Sequence, residues 1–360
     1  MYHNADRPQL IEFIRTSVRQ DTDRAKKAGK FGQVPEGGKS LFSIHTANQW
    51  MDMDKNSSEP SMLFGELWYQ GELCILFADT NVGKSALAVQ IGCSLAARTQ
   101  IAPFGFNAPQ CNVAYVDFEL SARQFRDRYS QNDVRYIFPK GFYRAEIRHQ
   151  AVLPPEFKTF NEYMNAAIGH IVDQTAAEVL IIDNITSLRS GTDRASEALS
   201  LMQYLKALKT RHNISILVLA HTPKRNPAKP ITRNDLQGSK MLINFADSAF
   251  AVGESFLRAD LRYLKQIKQR QYRQVYGADN VVLFRLAKPL NFLKFEFEGF
   301  AAERNHLYFS PRPEKIKTES LALELAKTGL SQRKIAAQLN VSVGTVNRIL
   351  KMGVNDVLPC

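Results

Sequence analysis

The residues best placed to do chemistry form the run Ala78-Asp79-Thr80-Asn81-Val82-Gly83-Lys84-Ser85, with Ala86 behind it. A bound polyanion needs bare backbone N–H groups around it at a helix N-terminus, where the helix dipole also favours negative charge. In a loop of this kind the lysine, Lys84, reaches the β- and γ-phosphates of a nucleoside triphosphate, and the Ser85 hydroxyl holds Mg²⁺. Such loops ordinarily open on Gly. Here that position is Ala78, a mild change, because the Gly-Lys-Ser end meets most of the phosphate.

Two acids complete the candidate set. Glu178-Val179-Leu180-Ile181-Ile182-Asp183 is an apolar run ending in a carboxylate, and beside a phosphate loop that carboxylate holds Mg²⁺ directly or through water. Val113-Ala114-Tyr115-Val116-Asp117-Phe118-Glu119 is a second such run. ATP hydrolysis needs a base to orient and polarise the attacking water, and Glu119 on a neighbouring strand meets that need. From spacing alone, Asp117 or Glu119 serves equally well as a cap for a helix beginning near Ser121.

These side chains require strands to carry them. The loop follows Leu73-Cys74-Ile75-Leu76-Phe77 and opens an apolar helix from Ala86 to Ala97, which is the strand–loop–helix context the chemistry demands. Further strands are expected at Val113–Phe118, Val179–Ile182, Ile214–Ala220 and Ser248–Val252. Near-continuous apolar runs separated by helices signify a parallel sheet covered on both faces. Tyr263–Ile267 and Val281–Leu286 alternate instead and are expected as antiparallel strands at the sheet edge. The aromatic run Phe292 to Phe300 reads as core or edge-strand packing.

At 360 residues the chain has room for about two domains. With 44% hydrophobic and 23% charged residues the composition is that of an ordinary globular protein. The net charge of +12 favours an anionic polymer as partner. No apolar run approaches the ~18 residues that span a bilayer, so no membrane contact is expected. Residues Met1 to Leu10 lack the apolar core of a signal peptide. Cys74, Cys93, Cys111 and Cys360 form no CxxC pair and read as reduced thiols, which makes the expected location cytoplasmic.

The expected organisation is an N-terminal helix and linker over 1–60, an ATPase domain over 61–309, a linker over 310–318 and a helical domain over 319–360. Within the first part, helices are expected at Pro8 to Ala28 and Ala47 to Met53, with a Gly-rich linker between them. In the last part, Leu321 to Lys327 is a helix closed by Gly329. Ser331 caps the helix through Leu339, and Ser342 caps the one through Leu350.

The order of these elements resembles the RecA fold, in particular the hexameric helicase group containing the DnaB and RepA replicative helicases, over roughly Phe64 to Leu290. Gly71-Glu72 is similar to that group's entry to the first strand. Phe118-Glu119-Leu120-Ser121 is similar to its Leu-Glu-Met-Ser, whose Glu is the catalytic base. The resemblance makes His221 the sensor of the γ-phosphate, in a strand followed by Thr222-Pro223-Lys224. Leu236 to Lys240, with Ile243 and Ala246-Asp247, resembles the segment after the sensor. Ile267-Lys268-Gln269-Arg270 matches the pair of cationic fingers, Lys268 and Arg270, that reach a neighbouring subunit's γ-phosphate. The implied fold class is α/β, a RecA-like core with a mostly parallel sheet. The implied assembly is a homo-oligomer, a hexamer.

The C-terminal helices resemble a resolvase-like or LuxR-like helix-turn-helix. Small Ala336 lies at the crossing, and Ile335, Leu339, Val341, Val346 and Ile349 form the core. The second helix of such a unit enters the major groove, which makes Val343, Thr345, Asn347 and Arg348 candidates for DNA contact. From Arg312 to Lys351 eight basic residues face three acids, a net charge of +5. The expected function is an ATP-hydrolysing motor acting on DNA, with ATP and Mg²⁺ as cofactors, serving replication or mobilisation of a plasmid, phage or mobile element. A DNA-binding regulator switched by ATP, without motor activity, is the alternative. The two differ in whether basic loops, such as Arg189 to Arg194 and Pro223 to Asn234, line a channel for a single strand.

Overall fold

The computed structural model describes residues 44–55, 59–148, 151–185, 194–236, 240–308 and 321–355. The expected helix at Pro8 to Ala28, the linkers at 29–39 and 310–318, and all but the last residue of the loop at 189–194 lie outside the described residues. The chain divides into two compact units, Met1–Glu59 and Pro60–Cys360. In the first, helix α1 (Ala47–Asp54) starts at a capping box in which the Thr46 hydroxyl accepts from the Gln49 N–H.

The second unit is built on a nine-stranded sheet of order β11-β10-β9-β8-β1-β7-β6-β2-β5. Its strands are β1 (Leu73–Ala78), β2 (Val113–Asp117), β5 (Phe142–Glu146), β6 (Val179–Asp183), β7 (Ser215–His221), β8 (Ser248–Glu254), β9 (Leu261–Gln269), β10 (Val281–Ala287) and β11 (Lys294–Ala301). From β5 across to β8 every pairing is parallel, and from β8 to β11 every pairing is antiparallel. This mostly parallel sheet with helices on its faces is the arrangement of a RecA-like α/β core. A two-residue pair, β3 (Ser130–Gln131) and β4 (Val134–Arg135), forms a separate small hairpin.

The central strands read as unbroken apolar runs because both their faces are buried. Along β1, Cys74, Leu76 and Ala78 enter one core while Leu73, Ile75 and Phe77 enter the other, the period of two that a pleated strand imposes. Helix α2 (Lys84–Ala97) packs on the first face and is buried on nearly all sides. Gly92 permits that approach: a Cβ there would stand 2.6 Å from the Phe142 ring of β5. Helices α4 (Phe160–Thr175), α5 (Arg194–His212) and α6 (Lys240–Phe245) contribute to the second core, while α3 (Ala122–Arg128) follows β2.

The expected strands all form, with bounds shifted by a residue or two. Edge strand β5 was not anticipated. Its sequence, Phe-Tyr-Arg-Ala-Glu, buries only Phe142 and so carries no apolar run. Opposite edge strand β11 is blunted by charge, with Glu296 held by Arg285 at 2.6 Å and by Lys294 at 3.2 Å.

Toward the C-terminus come α7 (residues 321–327), α8 (Gln332–Gln338) and α9 (Val343–Asn355). Ala322, Ile335, Ala336, Val346 and Ile349 are buried together in a core of their own, with Leu339 and Val341 packed against it. The Ser342 hydroxyl accepts from the Thr345 N–H, as a cap should. Ser331 occupies the capping position of α8, but its side chain makes no cap bond.

Candidate nucleotide site

Register decides which residues can meet. Ala78 at the end of β1 pairs with His221 at the end of β7, and Asp117 at the end of β2 pairs with Asp183 at the end of β6. The phosphate loop, Glu119, Asp183 and His221 therefore gather at the carboxyl edge of the parallel strands, from four separate parts of the chain. Ligands bind at that edge in open α/β sheets.

The loop is held from outside in three places. Asp79 accepts from Thr222 Oγ1 and, at 3.1 Å, from Arg225 Nε. The Val82 carbonyl accepts from Arg262 Nε at 2.9 Å. The Ala78 carbonyl accepts from the Thr222 N–H at 3.1 Å. Gly83 sits at φ +107, where an L side chain is strained, and a Cβ would meet Phe295 at 3.1 Å and Leu286 at 3.3 Å. Ala78, by contrast, is the last residue of β1 and takes no left-handed conformation, so the missing glycine costs the backbone nothing.

Behind the loop the side chains form a relay. Lys84 Nζ lies 3.4 Å from His221 Nδ1, and His221 Nε2 lies 3.0 Å from Glu119 Oε1. An ammonium can only donate and a carboxylate can only accept. His221 must then accept at Nδ1 and donate from Nε2, which fixes a single neutral tautomer. Asn184 Nδ2 donates to the same Glu119 oxygen. Oε2 has no protein partner among the described residues, which leaves it to water. The His221 hydrogen bond, then the Lys84 charge, overcome partial burial and hold the Glu119 carboxyl below its ordinary range. Burial pushes Lys84 down, against the pull of Asp183 and Glu119.

Asp183 is fully buried. Its Oδ2 accepts from the Tyr115 hydroxyl at 2.6 Å, and the Ser85 hydroxyl stands beside the same carboxylate. Burial raises its pKa, and Oδ1 has no hydrogen-bond partner among the described residues. A buried carboxylate oxygen without a partner, next to a serine hydroxyl, fits Mg²⁺ shared with a nucleotide. Ser85 and Asp183 would hold it, and it would neutralise developing charge on the phosphates. Among the described residues no group of three His, Cys, Asp or Glu side chains forms a metal site without a nucleotide.

Asp117 is not a second candidate base. Its Oδ1 accepts the N–H groups of Glu119 and Leu120 at 3.0 and 2.9 Å, and its Oδ2 accepts Arg144 Nε at 3.0 Å. It shapes the turn that presents Glu119. The helix cap is supplied by Ser121, which forms a capping box with Gln124.

The remaining expected residues lie elsewhere. Gln269 pairs with Ser248, which places Lys268 and Arg270 at the amino edge of the sheet. At about 3.3 Å per residue, the six residues of β1 put roughly 20 Å between them and the loop. Lys268 Nζ donates to the Ile243 and Ala246 carbonyls, both at 2.7 Å, and Arg270 lies 3.3 Å from Asp247 Oδ1. Val343, Asn347 and Arg348 are exposed on α9, and Thr345 is partly so, with its hydroxyl 2.9 Å from that of Ser342.

Arg225, which the sequence places among channel cations, is instead a strut of the phosphate loop, its side chain 8% exposed. Asn184, Tyr115, Arg144 and Arg262 also went unread. Strand alternation alone would have turned Tyr115 and Asp117 toward the α2 face, and Asn184 adjoins Asp183. For the arginines no local signal exists.

Among the described residues no helix is long and apolar enough to cross a membrane. No curated protein matches the chain. Among solved structures, a KaiC-like protein from the hyperthermophilic archaeon Pyrococcus horikoshii OT3 is similar, with a TM-score of 0.44 and 15% identity, over 63% of this chain and 90% of that one. A family model described as "AAA domain" matches residues 43–227, just over half of the chain and all of the phosphate loop, Glu119, Asp183 and His221. The chain belongs to that AAA domain family and is a RecA-like P-loop ATPase.

Proposed function

We propose that the protein is a ring-forming, ATP-hydrolysing motor that acts on DNA, for a plasmid, phage or other mobile element. Lys84, Ser85, Asp183 and Glu119 act from one subunit, and Lys268 and Arg270 from the next. Glu119 Oε2 orients the attacking water and takes its proton as the bond to the leaving β-phosphate oxygen breaks. Lys84 leaves His221 Nδ1 for the phosphate, and His221 reports that departure to Glu119.

One observation carries the trans arrangement: the arginines that touch the loop have no hand left for a phosphate. Arg262 is spent on the Val82, Ala259 and Leu261 carbonyls and on Glu254. Arg225 is spent on Asp79 and the Lys229 carbonyl. A cation that stabilises transition-state charge then comes from outside the subunit. Arg270, exposed at the opposite edge of the sheet, cannot reach its own loop; it and Lys268 would exchange their bonds to Asp247 and to the Asn244, Ile243 and Ala246 carbonyls for a neighbour's phosphate.

Mixing tests this. Arg270→Ala and Lys84→Ala proteins, each inactive alone, should regain part of the turnover together, because one interface then has both an intact loop and intact fingers. No recovery in a mixture shown to co-assemble overturns the trans assignment. Turnover raised by single-stranded DNA supports the motor. Duplex affinity that changes with ATP, with turnover indifferent to DNA, would support the switch instead. The exposed Val343, Asn347 and Arg348 on α9 support duplex binding by the C-terminal helices. Truncation after residue 310 should remove most duplex affinity, and equal affinity in both proteins would overturn that part.

A further inference from the structure

We propose that Phe256 and Tyr308 form a stacking platform for bases of single-stranded nucleic acid, flanked by Lys224 and Lys229. The inference rests on the reading of this protein as one that acts on DNA. It assigns the strand a place on residues outside the phosphate loop and its relay.

The segment from 222 to 236 leaves the carboxyl end of β7 and is pinned at two points. Arg225 ties its start to Asp79. Further on, the Ile231 carbonyl accepts from Lys265 Nζ at 2.7 Å, and its N–H donates to Glu303 Oε1 at 2.7 Å. Lys265 and Glu303 are a buried pair 2.5 Å apart. Between the pins, residues 226–230 form an exposed arch, stiffened by Pro227 and Pro230 and by the Asn226 side chain, which accepts from the Ala228 N–H at 2.9 Å. A stiff arch loses little entropy when it is occupied.

Tyr308 is fastened to this arch, its N–H donating to the Pro227 carbonyl at 3.2 Å. Phe256, at the tip of the β8–β9 hairpin, is fastened to the same region through its N–H and the His306 carbonyl at 3.1 Å, with Ser255 Oγ 2.9 Å from His306 Nδ1 below. The two rings lie 5.0 Å apart, and their residues are 49% and 43% exposed. Leu257, 65% exposed, extends the patch. The backbone at both residues is fastened, the rings pack on each other at an interplanar angle of 56°, and their outer faces remain in solvent.

Charge selects the partner. Lys224 and Lys229 are exposed and enter no ion pair among the described residues, and Pro227 lies between them. The acids of the hairpin are already neutralised, Glu254 by Arg262 at 3.5 Å and Asp260 by Arg258 at 3.0 Å. Exposed aromatic faces fastened to a segment that carries two unpaired lysines suit unpaired bases and their phosphates; a duplex keeps its base faces stacked inward.

The test uses the full chain and a dT oligomer across a salt series. Phe256→Leu and Tyr308→Leu keep apolar volume but lose the ring, and each should weaken binding about 5- to 100-fold at unchanged salt slope. Tyr308→Phe should bind as the unmutated chain does. Tyr308→Trp should be quenched on dT addition, and should remain quenched at saturation when Lys224→Ala and Lys229→Ala together lower the salt slope by about two. Unmutated dT affinity in both leucine variants overturns the platform while leaving the DNA reading intact. An unmutated chain that does not bind dT overturns both. Leucine variants that change the assembled mass in ATP while binding dT normally would assign the patch to a subunit contact, which also overturns the proposal.

Discussion

The two edges of the central sheet use their charged groups differently. At the carboxyl edge the charged groups face one another: Lys84 to His221, His221 to Glu119, with a buried Asp183 oxygen left over. At the amino edge most of their bonds run to the backbone. Asp247 Oδ2 accepts from the Leu73 N–H at 2.9 Å and from Lys209 at 3.0 Å, Lys209 also donates to the Gly71 carbonyl, and Lys268 covers the carbonyls that end α6. Bonds from side chain to backbone fasten strands and helix ends in place. Side-chain bonds within a cleft can be exchanged for a ligand without disturbing the fold. The carboxyl edge can therefore exchange its bonds for its own nucleotide, while the amino edge fastens its strands and helix ends, and only Lys268 and Arg270 there would have to give up bonds to serve a neighbour.

The sharpest way to break this contrast is at Lys84. Lys84→Ala removes the phosphate cation and should abolish measurable ATP turnover while leaving the circular dichroism of the fold unchanged. Turnover near the unmutated rate in a folded variant would deny the carboxyl edge its function. Glu119→Gln comes next. The amide fits the space and keeps an acceptor for His221, but cannot take a proton, so turnover should fall about 10²–10⁴-fold. Nucleotide affinity, read by equilibrium binding, should hold. A fall under threefold would place the base elsewhere, and Asp117, already spent on two N–H groups and Arg144, is not the place.

The amino edge should answer differently. Asp247→Ala strands the Leu73 N–H and leaves Lys209 and Arg270 without their carboxylate, at a cost of about 1–3 kcal/mol in stability. Denaturant unfolding of the two variants side by side separates the edges. Asp247→Ala should shift the midpoint and Glu119→Gln should not. If both shift alike, the carboxyl edge is as structural as the amino one and the contrast fails.

How far this division can be read from sequence follows from where each bond closes. The strands were legible because burial on both faces writes an unbroken apolar run, as in Leu73–Ala78 and Val179–Ile182. The loop was legible because its residues are contiguous, Glu119 and Asp183 because each lies at or just past the end of an apolar strand, and His221 only through the resemblance to the helicase group. Strand β5 was not, since an edge strand buries one residue in five. Nor were Arg225 and Arg262, whose partners Asp79 and Val82 lie 146 and 180 residues away. Nothing in the neighbourhood of an arginine announces a bond of that range, and Arg225 in its loop of Lys and Pro looks the same as a cation meant for solvent. Asp117 and Glu119 looked interchangeable for a related reason. The N–H groups of Glu119 and Leu120, with Arg144 from an unanticipated strand, turn one into a brace and leave the other to face the phosphate loop.

The smallest effect concerns pH, and it probes the relay itself. Glu119 has its pKa lowered first by the hydrogen bond from His221, with Lys84 and Asn184 adding to it. A depressed carboxyl stays ionised, and so available as a base, until the pH falls through its lowered value; the acid limb of kcat/KM should then lie below the ordinary carboxylate range. Removing the donor in His221→Ala should move that limb upward, toward neutrality, whatever happens to the maximal rate. His221→Gln supplies an amide N–H that can reach the same oxygen, so its limb should stay close to that of the unmutated chain. The free enzyme's kcat/KM is the right quantity, because the relay is seen without nucleotide. An unmoved limb in His221→Ala would mean that Glu119 is ionised by its surroundings without help from His221. The carboxyl edge would then be a set of separate groups, fastened as independently as those at the amino edge.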